Sequence, residues 1–131
     1  MKFENANVLI TGGASGIGKI MGRMALERGA KRFIIWDINI AGIEQTRNEL
    51  SSYGKVKGYV ENVADNDVVT AAYRKTVEDC GPIDILINCA GIVRGNKTFD
   101  QQTVQDIRLT FEVNTIAPMV IAQQILPDMI A

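Results

Sequence analysis

The sequence predicts an α/β fold: a doubly wound parallel sheet with helices on both faces, occupying residues 1–131 as one domain. Three observations point to it. Short apolar runs alternate with stretches whose apolar residues recur at helical spacing. A glycine-rich turn, Thr11 to Gly18, joins the first run to the first helical stretch. An acidic residue, Asp37, closes the second run.

Val8-Leu9-Ile10 is a buried strand ending at Gly12-Gly13. Ile17, Ile20, Met21, Met24 and Ala25 follow at i, i+3, i+4, i+7 and i+8, so they predict one apolar helical stripe, with Gly29 as its stop. Phe33 to Trp36 forms the second strand. Ile40, Ile43, Arg47 and Leu50 share a face of the second helix, which breaks at Ser51-Ser52-Tyr53-Gly54. Val56 to Val60 is the third strand. Val69, Ala72, Tyr73, Thr76 and Val77 stripe the third helix up to Gly81-Pro82, and Ile83 to Ile87 is the fourth strand, closed by Asn88. Val104, Ile107 and Phe111 stripe a fourth helix. A last helix runs from about Asn114; it tolerates Pro118 in its first turns and should bend or fray at Pro127. Strands alternating with helices of this length make βαβ units. Right-handed crossovers give the strand order 3-2-1-4, with the ligand crevice outside the carboxyl ends of the strands.

Composition narrows the function. Fourteen basic and fifteen acidic residues leave a net charge of -1, with no basic stripe, which argues against nucleic acid as a partner. No apolar run reaches the roughly 18 residues of a membrane span. The amino terminus lacks the apolar stretch of a secretory leader. Cys80 and Cys89 fit no metal spacing and read as reduced thiols, so a cytoplasmic location is expected. There is no histidine, which removes Ser-His-Asp and Cys-His catalysis together with most zinc sites.

The turn Thr11-Gly12-Gly13-Ala14-Ser15-Gly16-Ile17-Gly18 carries the chemistry. Gly12 permits the tight strand-to-helix turn. Gly16 lets the backbone approach a pyrophosphate, and Gly18 lets the helix pack close to the strand. The helix N-terminus offers unpaired N–H groups and positive dipole charge to the phosphates. Asp37, 19 residues after Gly18, can accept both hydroxyls of an adenosine ribose. A 2′-phosphate would meet Asp37 as like charge, and neither Ser15 nor Ile38 offsets it, so the pattern favours NAD over NADP.

The pattern TGGASGIG resembles that of the short-chain dehydrogenase/reductase family, whose fold is Rossmann-type. Asn88-Cys89-Ala90-Gly91 resembles the family's Asn-Asn-Ala-Gly, Asn62-Val63 its Asp-Val pair, and Val113-Asn114-Thr115 the segment of its active-site asparagine. Trp36 to Asn39, Gly81 to Asn88 and Leu126 to Ile130 look more narrowly like the retinol and hydroxysteroid dehydrogenase branch. The resemblance implies that Gly12, Ser15, Gly16, Ile17 and Gly18 line the pyrophosphate, that Asp37 holds the ribose, that Asn62 and Val63 border adenine, and that Asn88, Ala90 and Gly91 border the cofactor's sugars. It gives Asn114 the catalytic role of perturbing the last helix and positioning a water in the proton relay; taken without the family, Asn114 reads as a helix N-cap. Asn62 stands where the family has an acid and Cys89 where it has an asparagine, which implies a weaker adenine contact and some loss of stability.

The family's chemistry uses a serine and a Tyr-x-x-x-Lys pair that lie beyond the last helix of this sequence. Tyr53 and Lys57 have that spacing, yet Gly54 interrupts it in a turn at the wrong end of the strands. The resemblance therefore implies an NAD-dependent oxidoreductase acting on an alcohol or ketone, present here as its cofactor-binding part and unable alone to transfer hydride. The alternative is a non-catalytic short form that binds nucleotide as a sensor or partner subunit. A methyltransferase also places an acid after strand two, but the glycine pattern fits it poorly. The exposed edge of the fourth strand and one face of the last helix predict self-association, and the resemblance implies a homo-oligomer contact through the last two helices.

Overall fold

In the computed structural model, which describes residues 2–93 and 97–131, four parallel strands lie in the order β3-β2-β1-β4. The strands are β1 (Asn7–Thr11), β2 (Arg32–Asp37), β3 (Val56–Val60) and β4 (Ile85–Asn88). The helices are α1 (Gly16–Glu27), α2 (Ile40–Leu50), α3 (Asn66–Cys80), α4 (Val104–Phe111) and α5 (Ala117–Ile130). A π-helical turn, Glu112–Ile116, joins α4 to α5, and a short 3-10 turn, Phe99–Gln101, precedes α4. The predicted strand order is the observed one. Thr11 pairs with Trp36 on one side and with Asn88 on the other, so the carboxyl ends of the strands are level.

Residues alternate between two cores, as they must in a sheet covered on both faces. Val8, Ile10, Phe33 and Ile35 face α1 and α2, together with Ala25, Leu26, Ile43 and Leu50. Leu9, Ile34, Trp36 and Tyr59 face α3 and α5, together with Val69, Tyr73, Ile121 and Ile125. Trp36 is 1% exposed, and its indole N–H donates to Thr76 Oγ1 at 3.0 Å. The hydroxyl of Tyr73 donates to Asp128, tying α3 to α5.

Three elements depart from the expected pattern. The stripe on α1 only partly coincides with its buried face: Ala25 is buried and Met21 packs on the core, but Ile17 is 71% and Ile20 56% exposed, Met24 is also exposed, and Gly18, Gly22 and Leu26 complete the buried side. The reason is close approach. A Cβ on Gly22 would lie 2.2 Å from the Phe33 ring, so the helix turns its smallest residues to the sheet and gains contact by proximity. On α2, Thr46 is buried where Arg47 was expected, and its hydroxyl donates to the Ala14 carbonyl at 3.0 Å; Ile40 is exposed. The last helix continues through Pro127 to Ile130, so the break expected at that proline does not occur. No helix among the described residues is long and apolar enough to cross a membrane.

Candidate functional site

The carboxyl ends of the strands open onto a cleft of about 400 Å³. It sits where the strand order reverses, with β2 and β3 on one side of β1 and β4 on the other.

The glycine loop forms the floor beside β1. Gly12 has φ +67 and its N–H donates to the Trp36 carbonyl at 2.8 Å. A Cβ there would lie 2.9 Å from Ala90 Cα, so glycine is what allows the turns after β1 and β4 to meet. Gly16 has φ +50, and a Cβ on it would meet nothing within 4 Å; it borders open space. Ser15 caps α1 by backbone position only, with no side-chain bond, and the first turn has no acidic residue. The N–H groups and positive dipole end of α1 therefore meet no acceptor side chain of their own, as an anion site requires.

Asp37 stands at the next strand end. One carboxylate oxygen accepts from Ala14 N at 3.1 Å and the other from Asn39 N at 3.0 Å. These bonds hold it against the loop, and each oxygen retains a further acceptor site. At the end of β3, Val63 is buried, and Asn62 is exposed with Oδ1 accepting from Ala64 N at 3.1 Å. Glu61 donates its backbone N–H to the Asp37 carbonyl at 2.9 Å. Burial pushes its carboxyl above the usual glutamate value, against the opposing pull of the Lys75 charge.

Across β1, the Thr11 hydroxyl accepts from Cys89 N and Ala90 N, both at 3.1 Å, fixing the turn after β4. Asn114 lies inside the π-helical turn, not at a helix cap. Its Oδ1 accepts from Ile92 N and its Nδ2 donates to Ile92 O, both at 2.8 Å. That pair bolts the irregular helical turn to the loop beside the cleft.

The structure thus brings Gly12, Ser15, Gly16, Ile17, Gly18, Asp37, Asn62, Val63, Ala90 and Gly91 around one cleft. Asn88 is placed outside that lining; its Nδ2 donates to the Pro118 carbonyl at 3.4 Å, joining β4 to α5. Asn114 is also outside it and reaches it through Ile92. Trp36, Ile38, Glu61, Cys89, Ile92 and Val113 line the cleft without having been singled out as contacts. The signal for Glu61 was available, since it immediately follows β3 and carboxyl ends of strands face the crevice. Ile92 and Val113 carry no chemical signature that marks them in a sequence. Among the described residues, those lining the cleft include two carboxylates and no cation. Tyr53 and Lys57 are elsewhere: Tyr53 lies under Arg23 after α2, and Lys57 lies on β3 over the Tyr59 ring.

Residues 6–131 match the family profile described as short chain dehydrogenase. The chain is 36% identical over 123 residues to estradiol 17-beta-dehydrogenase 11 of Rattus norvegicus, covering 93% of this chain and 41% of that enzyme. A xylitol dehydrogenase solved with NAD+ superposes with a TM-score of 0.90 at 22% identity, over 99% of this chain and 50% of that one. L-sorbose reductase of Gluconobacter frateurii, solved with NADPH and L-sorbose, gives 0.88 at 22%, over 98% and 49%. These two structures establish likeness of fold. The chain spans about half the length of the proteins it matches, or less.

Proposed function

The chain belongs to the short-chain dehydrogenase family, and from that premise we propose that its cleft holds NAD in preference to NADP, as the cofactor-binding part of an enzyme that interconverts an alcohol and a ketone. The observation that carries the proposal is the pairing of an uncapped helix N-terminus with Asp37, 3.1 Å from the loop backbone, in a cleft whose described lining has no cation. The donors suit a pyrophosphate and the carboxylate suits a ribose diol. A 2′-phosphate beside Asp37 would bring like charges together with nothing to offset them. Open space at Gly16 supports the same fit, since the backbone is bare where a phosphate would approach.

The nicotinamide, when bound, supplies the hydride acceptor or donor. The residues of this chain bind and orient. The glycine loop grips the phosphates, Asp37 takes the ribose, and Asn114 holds the Ile92 backbone and the π-helical turn in register at the other end of the cleft. The likeness to the rat estradiol dehydrogenase supports a secondary alcohol or its ketone as substrate class. The one Tyr-x-x-x-Lys spacing in the sequence lies far from the cleft, so these 131 residues by themselves are expected to bind cofactor without turning it over.

Calorimetric titration of NADH and NADPH into the chain tests the preference. NADH should bind more tightly, by roughly tenfold or more for one unfavourable charge contact of about 1.4 kcal/mol. Asp37→Ala should narrow the ratio by weakening NADH and relieving NADPH. Equal affinities in the native chain, or a ratio unmoved by Asp37→Ala, would contradict the assignment.

A further inference from the structure

Thr46 is 0% exposed and does not line the cleft, yet it is bonded to the glycine loop that forms the cleft floor. A threonine inside a helix commonly returns its hydroxyl proton to a carbonyl of its own preceding turn. Thr46 instead donates to the Ala14 carbonyl at 3.0 Å, 32 positions earlier in the sequence. A hydroxyl has one proton, so this bond is made in place of one within α2. The helix comes close enough because Gly42, one turn earlier on the same face, has no side chain; a Cβ there would lie 3.3 Å from Ala14 Cβ.

Ala14 is thereby held on both sides. Its N–H donates to Asp37 Oδ2 at 3.1 Å, and its carbonyl accepts from Thr46. The second bond has a geometric consequence one residue on. A trans peptide is planar, with its C=O and N–H pointing in opposite directions. The Ala14 carbonyl points inward to α2, so the Ser15 N–H points away from it. Ser15 is exposed, lines the cleft and occupies the N-cap position of α1. Without the Thr46 hydroxyl, the same peptide plane is free to turn its carbonyl outward and present partial negative charge where phosphates would lie.

On the nucleotide-binding reading of the cleft, we infer that Thr46 is a positioning residue for the cofactor's pyrophosphate. Its hydroxyl fixes the plane of the Ala14–Ser15 peptide, and that plane presents the Ser15 N–H to a phosphate oxygen. Thr46 thus serves the phosphates that NADH and NADPH share, whereas Asp37 reads the ribose that distinguishes them.

The test is calorimetric titration of NADH and NADPH into the native chain, Thr46→Val and Thr46→Ser, at a temperature where denaturation curves show each to be folded. Valine keeps the shape and deletes the donor, while serine keeps the donor. Thr46→Val should weaken both dinucleotides by a common factor of roughly tenfold, the loss of one hydrogen bond to a charged group, and leave their ratio unchanged. Thr46→Ser retains the hydroxyl and should bind both within about threefold of the native chain. If the Ala14 carbonyl, left without its donor, keeps Thr46→Val from folding, amide NMR of the native chain decides: NADH should move the Ser15 N–H resonance downfield. Native affinity in Thr46→Val, a loss that Thr46→Ser shares, a loss confined to NADH, or a Ser15 resonance that NADH leaves in place would overturn the inference and leave the nucleotide site standing. No saturable binding of either dinucleotide to the native chain would overturn the site itself, and the inference with it.

Discussion

Glu61 is half-buried at the cleft, and the cost of holding its carboxylate there is measurable. Its folded-state pKa is raised above the usual glutamate value by burial, with the Lys75 charge pulling the other way. A group raised in this way favours the folded state most at pH below its unfolded value, and that contribution is lost as pH rises through the folded value. Glu61→Gln should therefore raise the melting temperature at pH 7 and have little effect near pH 4. A variant that melts lower than the native chain at pH 7 would show that the carboxylate is paired in the folded protein. The mouth of the cleft was legible in the sequence at this scale because glycine spacing and a strand-end acid have few physical explanations other than a nucleotide. Glu61 was not singled out, because an acid at a strand end is ordinarily a solvated charge; only its place in the cleft and its partial burial distinguish it.

Secondary-structure elements show why the rest was partly hidden. The strands and the third helix were readable, since apolar runs and the stripe through Val69, Ala72, Tyr73 and Thr76 report burial directly. The first helix misleads, because periodicity assumes that large apolar residues mark the buried face. Here Gly18 and Gly22 mark it, and Ile17 and Ile20 face outward. Close helix–sheet approach is invisible to a hydrophobicity pattern. It predicts a specific sensitivity: Gly22→Ala puts a methyl group 2.2 Å from the Phe33 ring and should destabilise the chain by about 1–3 kcal/mol. Chemical denaturation measures this, and Phe33→Leu in the Gly22→Ala background should recover part of the loss by making room. Loss without recovery would place the strain elsewhere. The π-helical turn was anticipated only as a perturbation at Asn114. Its cause, two bonds at 2.8 Å between the Asn114 amide and the Ile92 backbone, requires the loop after β4 to be in place.

At the scale of the whole molecule, the two cores leave several large apolar side chains uncovered. Phe99, Val104, Phe111, Met119, Leu126 and Ile130 are exposed along the 3-10 turn, α4 and α5, and α4 buries none of its residues. Surfaces of this kind mark association sites. Self-association through α4 and α5 is the expected outcome, read by light scattering as a mass above that of one chain and returned toward one chain by Phe111→Asp. A single-chain mass at high concentration would contradict it. The central claim is that these residues fold into a cleft that holds a dinucleotide by its phosphates. Titration of NADH into the native chain and into Gly16→Val tests it most directly, because the valine fills open space at a backbone position with φ +50. Saturable binding by the native chain, weakened at least about tenfold by Gly16→Val while the variant remains folded, is the predicted result. No binding by the folded native chain, or binding that Gly16→Val leaves intact, would contradict it.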